Sequence, residues 1–214
     1  PAVHGLTGAA FRRDPVVTVP AALEPELADV TQTGVPLRAF AEQAVQETLL
    51  MGRYGMLLDF PPPVLHPDGT LLPLPASRPY WIGYRAEEIL NWRTMQRGGG
   101  TILTLVGLRE SVPIVQGVWP SDDFFRVGEQ TQYRVLRPDD QGHYEVSLWV
   151  EAPQGVARVG QPIPLVAAYT PMREQAPLDL IPFVFLAPFS LEPTVEKTLM
   201  EPLSALYRWM ERHL

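Results

Sequence analysis

Apolar positions first fall into a helical period at Pro36–Met51, where Leu37, Phe40, Ala41, Ala44, Val45 and Leu49 share one face. Pro36 suits a first turn, where its missing N–H costs nothing, and Gly52 ends the helix. Tyr54–Phe60 then reads as a buried strand running into Pro61–Pro63, and Tyr80–Tyr84 as a short aromatic strand. Between them Asp68–Gly69 marks a turn at a hairpin tip. Ala86–Trp92 reads as a short helix, and Gly98–Gly100 breaks the chain before a strong strand at Thr101–Arg109. Residues 1–35, with small residues at Gly5–Ala10 and prolines at 15, 20 and 25, read as irregular.

The second half is β-rich. Gln132–Arg137 and His143–Glu151 flank Pro138–Gly142, a hairpin signal. In the later strand Tyr144, Val146, Leu148 and Val150 alternate with His143, Glu145, Ser147 and Trp149, giving one apolar and one mixed face. Ile163–Tyr169 and Ile181–Leu186 are further strands, the second apolar enough for burial on both faces. From Pro202 the helical period returns through Leu203, Leu206, Tyr207, Met210 and Leu214. Twenty-four prolines and sixteen glycines keep the elements short, with no internal repeat. The fold class that follows is α+β: mostly antiparallel strands packed with a few helices, which stand near both ends.

Composition narrows this. A chain of 214 residues has room for one large domain or two small ones, and at 46% hydrophobic and 19% charged it can bury a core. The net charge of −7 argues against a surface that coats nucleic acid. Lys197 is the only lysine, which reads as codon bias rather than chemistry. With no cysteine there is no disulfide, Cys-ligated zinc or thiol nucleophile. No apolar run approaches a membrane span, the most apolar segment being Leu180–Ala187, and we expect no signal peptide. The start at Pro1 and the end inside a helical pattern lead us to expect a piece of something longer.

Catalytic patterns are thin. His4, His66, His143 and His213 have no metal-site spacing, and solvated imidazoles near turns explain His66 and His143. Asp122–Asp123 and Asp139–Asp140 pair carboxylates of the kind a hard cation accepts, but without spaced ligands they read as solvated loop acids. Neither a nucleophile elbow nor a phosphate loop occurs, and Gly98–Gly100 precedes a strand rather than a helix. Trp81, Tyr84 and Trp92 are candidates for base stacking, yet without clustered basic residues a core or subunit-contact role explains them better. The expectation is therefore no enzyme: no catalytic residues, no cofactor and no metal.

Four segments in order resemble the portal protein of tailed bacteriophages: Gly5–Pro15 (GLTGAAFRRDP), Leu50–Pro61 (LMGRYGMLLDFP), Arg78–Arg93 (RPYWIGYRAEEILNWR) followed by the strand ending Leu108–Glu110, and Ile181–Leu186 (IPFVFL) leading to Glu201–Leu203. Together they span nearly the whole chain. The resemblance implies a wing-like α+β domain over 1–192, with a β-rich region at 101–187, and the start of the stem helix at 193–214. Family members continue into a stem, a clip and a channel loop, and carry an upstream helical segment, so the likeness is to a wing fragment. It also implies a structural role in the virion, assembled in the host cytoplasm. The parent would form a homo-oligomeric ring, typically of twelve subunits, through which double-stranded DNA is packaged. Terminase, capsid and head–tail completion proteins would be its partners, and no membrane is involved. Within this picture Phe40, Val45 and Leu49 should meet Met56, Leu58, Leu103 and Leu105 or their immediate strand neighbours. Trp209, flanked by Arg208 and Arg212 and lying off the terminal helix's apolar stripe, should be a subunit contact. Two alternatives stand beside it. One is a hydrolase with a scattered Ser–His–Asp set drawn from Ser77, Ser111, Ser121, Ser147, Ser190 or Ser204. The other is a head–tail adaptor, against which the long β-rich middle argues.

Overall fold

The helix at Leu37–Met51 (α2) is set by its ends and by one buried face. Pro36 stands extended before it, and Gly52 closes it at φ 75°, donating its N–H to the Thr48 carbonyl. Phe40, Ala41, Ala44, Val45 and Thr48 are buried. Thr48 is tolerated there because its hydroxyl donates to the Ala44 carbonyl at 2.6 Å. The computed structural model describes residues 2–13, 16–61, 78–98, 100–115, 127–150, 165–173 and 176–187. The fold is α+β with antiparallel strands throughout the described sheets.

The chain divides into two compact units. The first draws on Pro1–Phe60, Arg78–Ala86 and Pro182–Leu214. Its sheet has the order β10-β1-β2, with β1 (Tyr54–Asp59) central, β2 (Tyr80–Arg85) on one side and β10 (Phe183–Leu186) on the other. Every residue of β1 is buried, which a central strand with an apolar run predicts. Helix α2 packs on this sheet, with Phe40 edge-on to Trp81 at 5.7 Å between ring centroids. Tyr54 crosses to β2 and fills the space where a side chain at Gly83 would stand, so only glycine fits.

Two helices occupy the stretch read as irregular: α1 (Ala2–Ala10) and a 3-10 helix at Ala21–Ala28. Gly5, Gly8 and the prolines hide them from a propensity reading. Tertiary burial forms α1 instead. Phe11 just beyond it joins Ala41 and Val45 of α2, with Leu49 packed against the cluster.

The second unit draws on Pro61–Ser77 and Glu87–Ile181. It is an antiparallel meander of β3 (Ile89–Arg97), β4 (Gly100–Val115), β5 (Val127–Pro138), β6 (Tyr144–Val150) and β7 (Leu165–Tyr169), paired in chain order. Ile89, Val106, Leu108, Leu136, Tyr144 and Val146 form its buried face. A two-stranded ribbon, β8 (Met172–Arg173) with β9 (Ala176–Pro177), follows.

Here the expected helix at Ala86–Trp92 is corrected: Ala86–Glu88 make a turn and Ile89 begins a strand. The helix-forming Ala-Glu-Glu triplet is overruled by pairing along β4, which runs from Ile89↔Leu108 to Arg97↔Gly100. Gly98, at φ 58°, stands at the end of that hairpin's first strand in a conformation that favours glycine. Ile181–Leu186 buries Phe183 on one face and Leu186 on the other, with Val184 and Phe185 half-buried between them. Met56 and Leu58 are buried in β1, whereas Leu103 and Leu105 are half-buried on β4 of the second unit. The Asp68–Gly69 turn and the whole of 193–214 lie outside the described residues.

Candidate functional site

The residues singled out for chemistry scatter. Trp209, Arg208 and Arg212 lie outside the described residues, as do His66, His213, Asp122–Asp123, Ser77, Ser121, Ser190 and Ser204. His4 is exposed on α1. Ser111 donates to Glu129 at 2.9 Å and Ser147 to the Val135 carbonyl at 3.4 Å, so both hydroxyls engage acceptors other than histidine. Trp81 and Tyr84 are core residues. Trp92, by contrast, is 43% exposed.

Asp139 shows what its pair of carboxylates does. Its Oδ1 accepts the N–H groups of Gln141 at 2.8 Å and His143 at 2.9 Å, closing the β5–β6 hairpin. The His143 imidazole stands 3.6 Å from Oδ2. Partial burial pushes the Asp139 carboxyl up, but the two N–H bonds and the imidazole outweigh it and hold the group below its ordinary value. This carboxylate is a loop cap. No group of three or more His, Asp or Glu side chains gathers among the described residues, and none of their helices is long and apolar enough to cross a membrane.

A second carboxylate cap sits in the first unit. Asp29 Oδ1 accepts N–H groups from Thr33 and Gly34, and Arg78 reaches its other oxygen at 3.2 Å. Arg78 also pairs with Glu26 and donates to the Asp29 carbonyl at 3.0 Å. Burial again raises the Asp29 carboxyl, and the Gly34 N–H with the Arg78 charge brings it below its ordinary value. The loop so fixed sends the Val30 carbonyl to the Trp81 N–H at 2.8 Å, covering part of the β2 edge. Behind it lies an apolar pocket of about 90 Å³, lined by Val19, Leu23, Leu27, Leu37, Leu58 and Trp81 among others.

The exposed surface of most chemical interest is β3, which the helical reading of 86–92 concealed. It is an edge strand with only Ile89 buried. Leu90 and Met95 are 48% and 51% exposed. Arg93, Met95 and Arg97 alternate onto one face. At that end a groove of about 360 Å³ runs from Met95 and Arg97 past Leu103 to Asp139, Asp140 and Asp179.

The arginines of this unit differ in one respect. Arg134 meets Glu110 at 2.7 Å, Arg137 meets Glu145 at 2.9 Å, and Arg109 donates to the Glu87 carbonyl. The side chains of Arg93 and Arg97 make no hydrogen bond or ion pair among the described residues. Leu90, Trp92 and Met95 stand beside arginine in the sequence, but no local pattern marks them as exposed. The comparisons add no further identity, since no protein family and no curated protein matches the sequence.

Proposed function

We propose that the chain is a structural, non-catalytic part of a tailed-phage portal subunit, built into the ring through which DNA enters and leaves the head. The observation that carries this reading is where the resembling segments fall. Leu50–Pro61, Arg78–Arg93 and Ile181–Leu186 are far apart in sequence, yet they supply β1, β2 and β10 of one sheet. Gly5–Pro15 supplies Phe11, which packs on α2 of the same unit. The third segment runs on into β3, and the strand ending Leu108–Glu110 is β4, so the resembling segments supply the sheet of the first unit and two paired strands of the second. The helix-on-sheet packing of α2 also supports a wing-like domain.

In this role the chain's partners are further copies of itself, terminase, capsid and head–tail completion proteins, with double-stranded DNA passing through the ring. Its place is the virion. Net acidity suits a channel that must not hold phosphate tightly, because each bound phosphate adds to the counterion-release term. The test is negative-stain imaging of the full-length protein. Rings with a central hole are expected, and compact monomers at all concentrations would overturn the reading.

A further inference from the structure

Among the described residues β3 has no strand on its outer side. An open edge is a template for another chain, and natural sheets blunt it by brevity, proline, lysine or a bulge. β3 is nine residues long and contains neither proline nor lysine. Its one extra residue is Leu90, near its start, while the second irregularity falls on β4, where Thr104 has no opposite residue. Asn91–Arg97 therefore alternate without interruption. Exposed along this edge are Leu90, Trp92 and Met95. Trp, Met and Arg are residue types that subunit contacts favour.

Charge along the strand is graded. Exposed Glu87 stands in the turn just before it, and Arg93 and Arg97 lie in its second half. A second β3 laid parallel would set like charges side by side, whereas an antiparallel one sets the acidic end of each copy against the basic end of the other. In an antiparallel pair, residues that turn their N–H and C=O outward face residues of the same kind, so a two-fold axis passes through one residue. An axis at Arg93 would oppose that arginine to itself, and one at Met95 would oppose Arg93 to Arg97. An axis at Thr94 would leave Arg97 opposite Asn91. Of the axes from Trp92 to Met95, only Trp92 brings Arg97 to the end where Glu87 of the other copy stands. It also sets Arg93 opposite Asn91 and the two Trp92 residues opposite each other, an aromatic cross-strand pair.

We infer that β3 pairs antiparallel with β3 of a second copy of this chain, about a two-fold axis at Trp92, with Arg97 of each copy meeting Glu87 of the other. The contact joins two meanders into one continuous sheet and covers Leu90, Trp92 and Met95. It goes beyond the ring reading and does not depend on it. A two-fold contact uses the same surface on both copies and leaves any ring contact to other surfaces.

The test is sedimentation of the 214-residue chain, unaltered and as Glu87→Arg and Arg97→Glu. The unaltered chain should form a dimer and nothing larger through this edge. Each residue acts twice in a two-fold contact, so either reversal should raise the dimer dissociation constant about tenfold with an unchanged circular-dichroism spectrum. Arg97→Glu would leave only carboxylates among the charged groups of its groove, beside Asp139, Asp140 and Asp179. An equimolar mixture of the two variants restores both opposite-charge pairs and should dimerise as tightly as the unaltered chain. Because the chain has no cysteine, Trp92→Cys adds a single thiol, and on the axis it lies close enough to its own copy for a disulfide. That variant should cross-link into dimers under mild oxidation, and Met95→Cys should not. An unaltered chain that is monomeric at every concentration overturns the proposal. So does a mixture that fails to regain affinity, or equal cross-linking at the two positions.

Discussion

The two sheets treat their edges in opposite ways. In the first unit the edge strand β2 is met by the Val30 carbonyl, on a loop that Asp29 and Arg78 tie together. The arginines around that sheet are engaged: Arg53 with the Ala86 carbonyl, Arg78 with Glu26 and Asp29, Arg85 with Glu47. In the second unit β3 is exposed beyond Ile89, and its two arginine side chains have no partner among the described residues. The contrast separates two uses of the same chemistry. Arginine beside β2 ties a loop over the sheet edge, whereas arginine on β3 faces solvent.

Substitution should separate the two edges by the size of the stability change. Leu57 is wholly buried in β1, so Leu57→Ala should cost about 2–5 kcal/mol in urea melts. Leu90 is half in water, and Leu90→Ala should change stability by less than about 0.5 kcal/mol. Equal losses at the two positions would show that β3 belongs to the core and would erase the contrast.

Gly83→Ala is the next largest. A Cβ there would come within 1.8 Å of the Tyr54 hydroxyl oxygen, and Tyr54 is itself buried. Overpacking of this kind costs about 1–3 kcal/mol. The companion Tyr54→Phe, which removes the colliding oxygen, should recover part of that loss in a double-mutant cycle. Strict additivity would mean that the ring does not confine position 83.

These tests bear on how much the sequence disclosed. Helix α2 and strand β1 were legible because one is periodic and bounded by Pro36 and Gly52, and the other is a continuous apolar run. The β5–β6 hairpin was legible from its turn residues and its alternation. Helix α1 was not, since its formation depends on Phe11 meeting α2, a contact that no local pattern announces. Strand β3 was misread because Ala-Glu-Glu favours a helix while the decisive pairing lies across a glycine turn. The site was even less legible. Exposure of Leu90, Trp92 and Met95 becomes visible only once β3 is seen to lie at an edge.

A smaller effect is expected from the arginines themselves. Arg78→Ala removes the tie between Glu26, Asp29 and the loop over β2, so the melting temperature should fall and the Trp81 amide should exchange faster. Arg93→Ala/Arg97→Ala breaks no side-chain bond among the described residues and should leave the melting curve of the monomer unchanged. A drop of equal size in the second variant would place those arginines in folding rather than contact.

The smallest effect is one that the two units share. Asp29 and Asp139 each cap a loop through backbone N–H groups, and both carboxyls are held below the ordinary value of 3.8. A carboxyl depressed on folding adds stability that is fully present above its unfolded pKa and is lost as pH falls through its lower folded value. Asp139→Asn should therefore differ from the unaltered protein at neutral pH, and the difference should shrink as the solution is acidified below pH 3.8. Amide shifts of Gln141 and His143 should titrate with that same low midpoint, as should those of Thr33 and Gly34 for Asp29. A midpoint at or above 3.8 at either loop would mean that its N–H bonds do not outweigh burial and do not cap the turn. If only the Asp29 loop showed the depressed midpoint, local order in the second unit would rest on strand pairing alone, and the contrast between the units would extend from their edges to their turns.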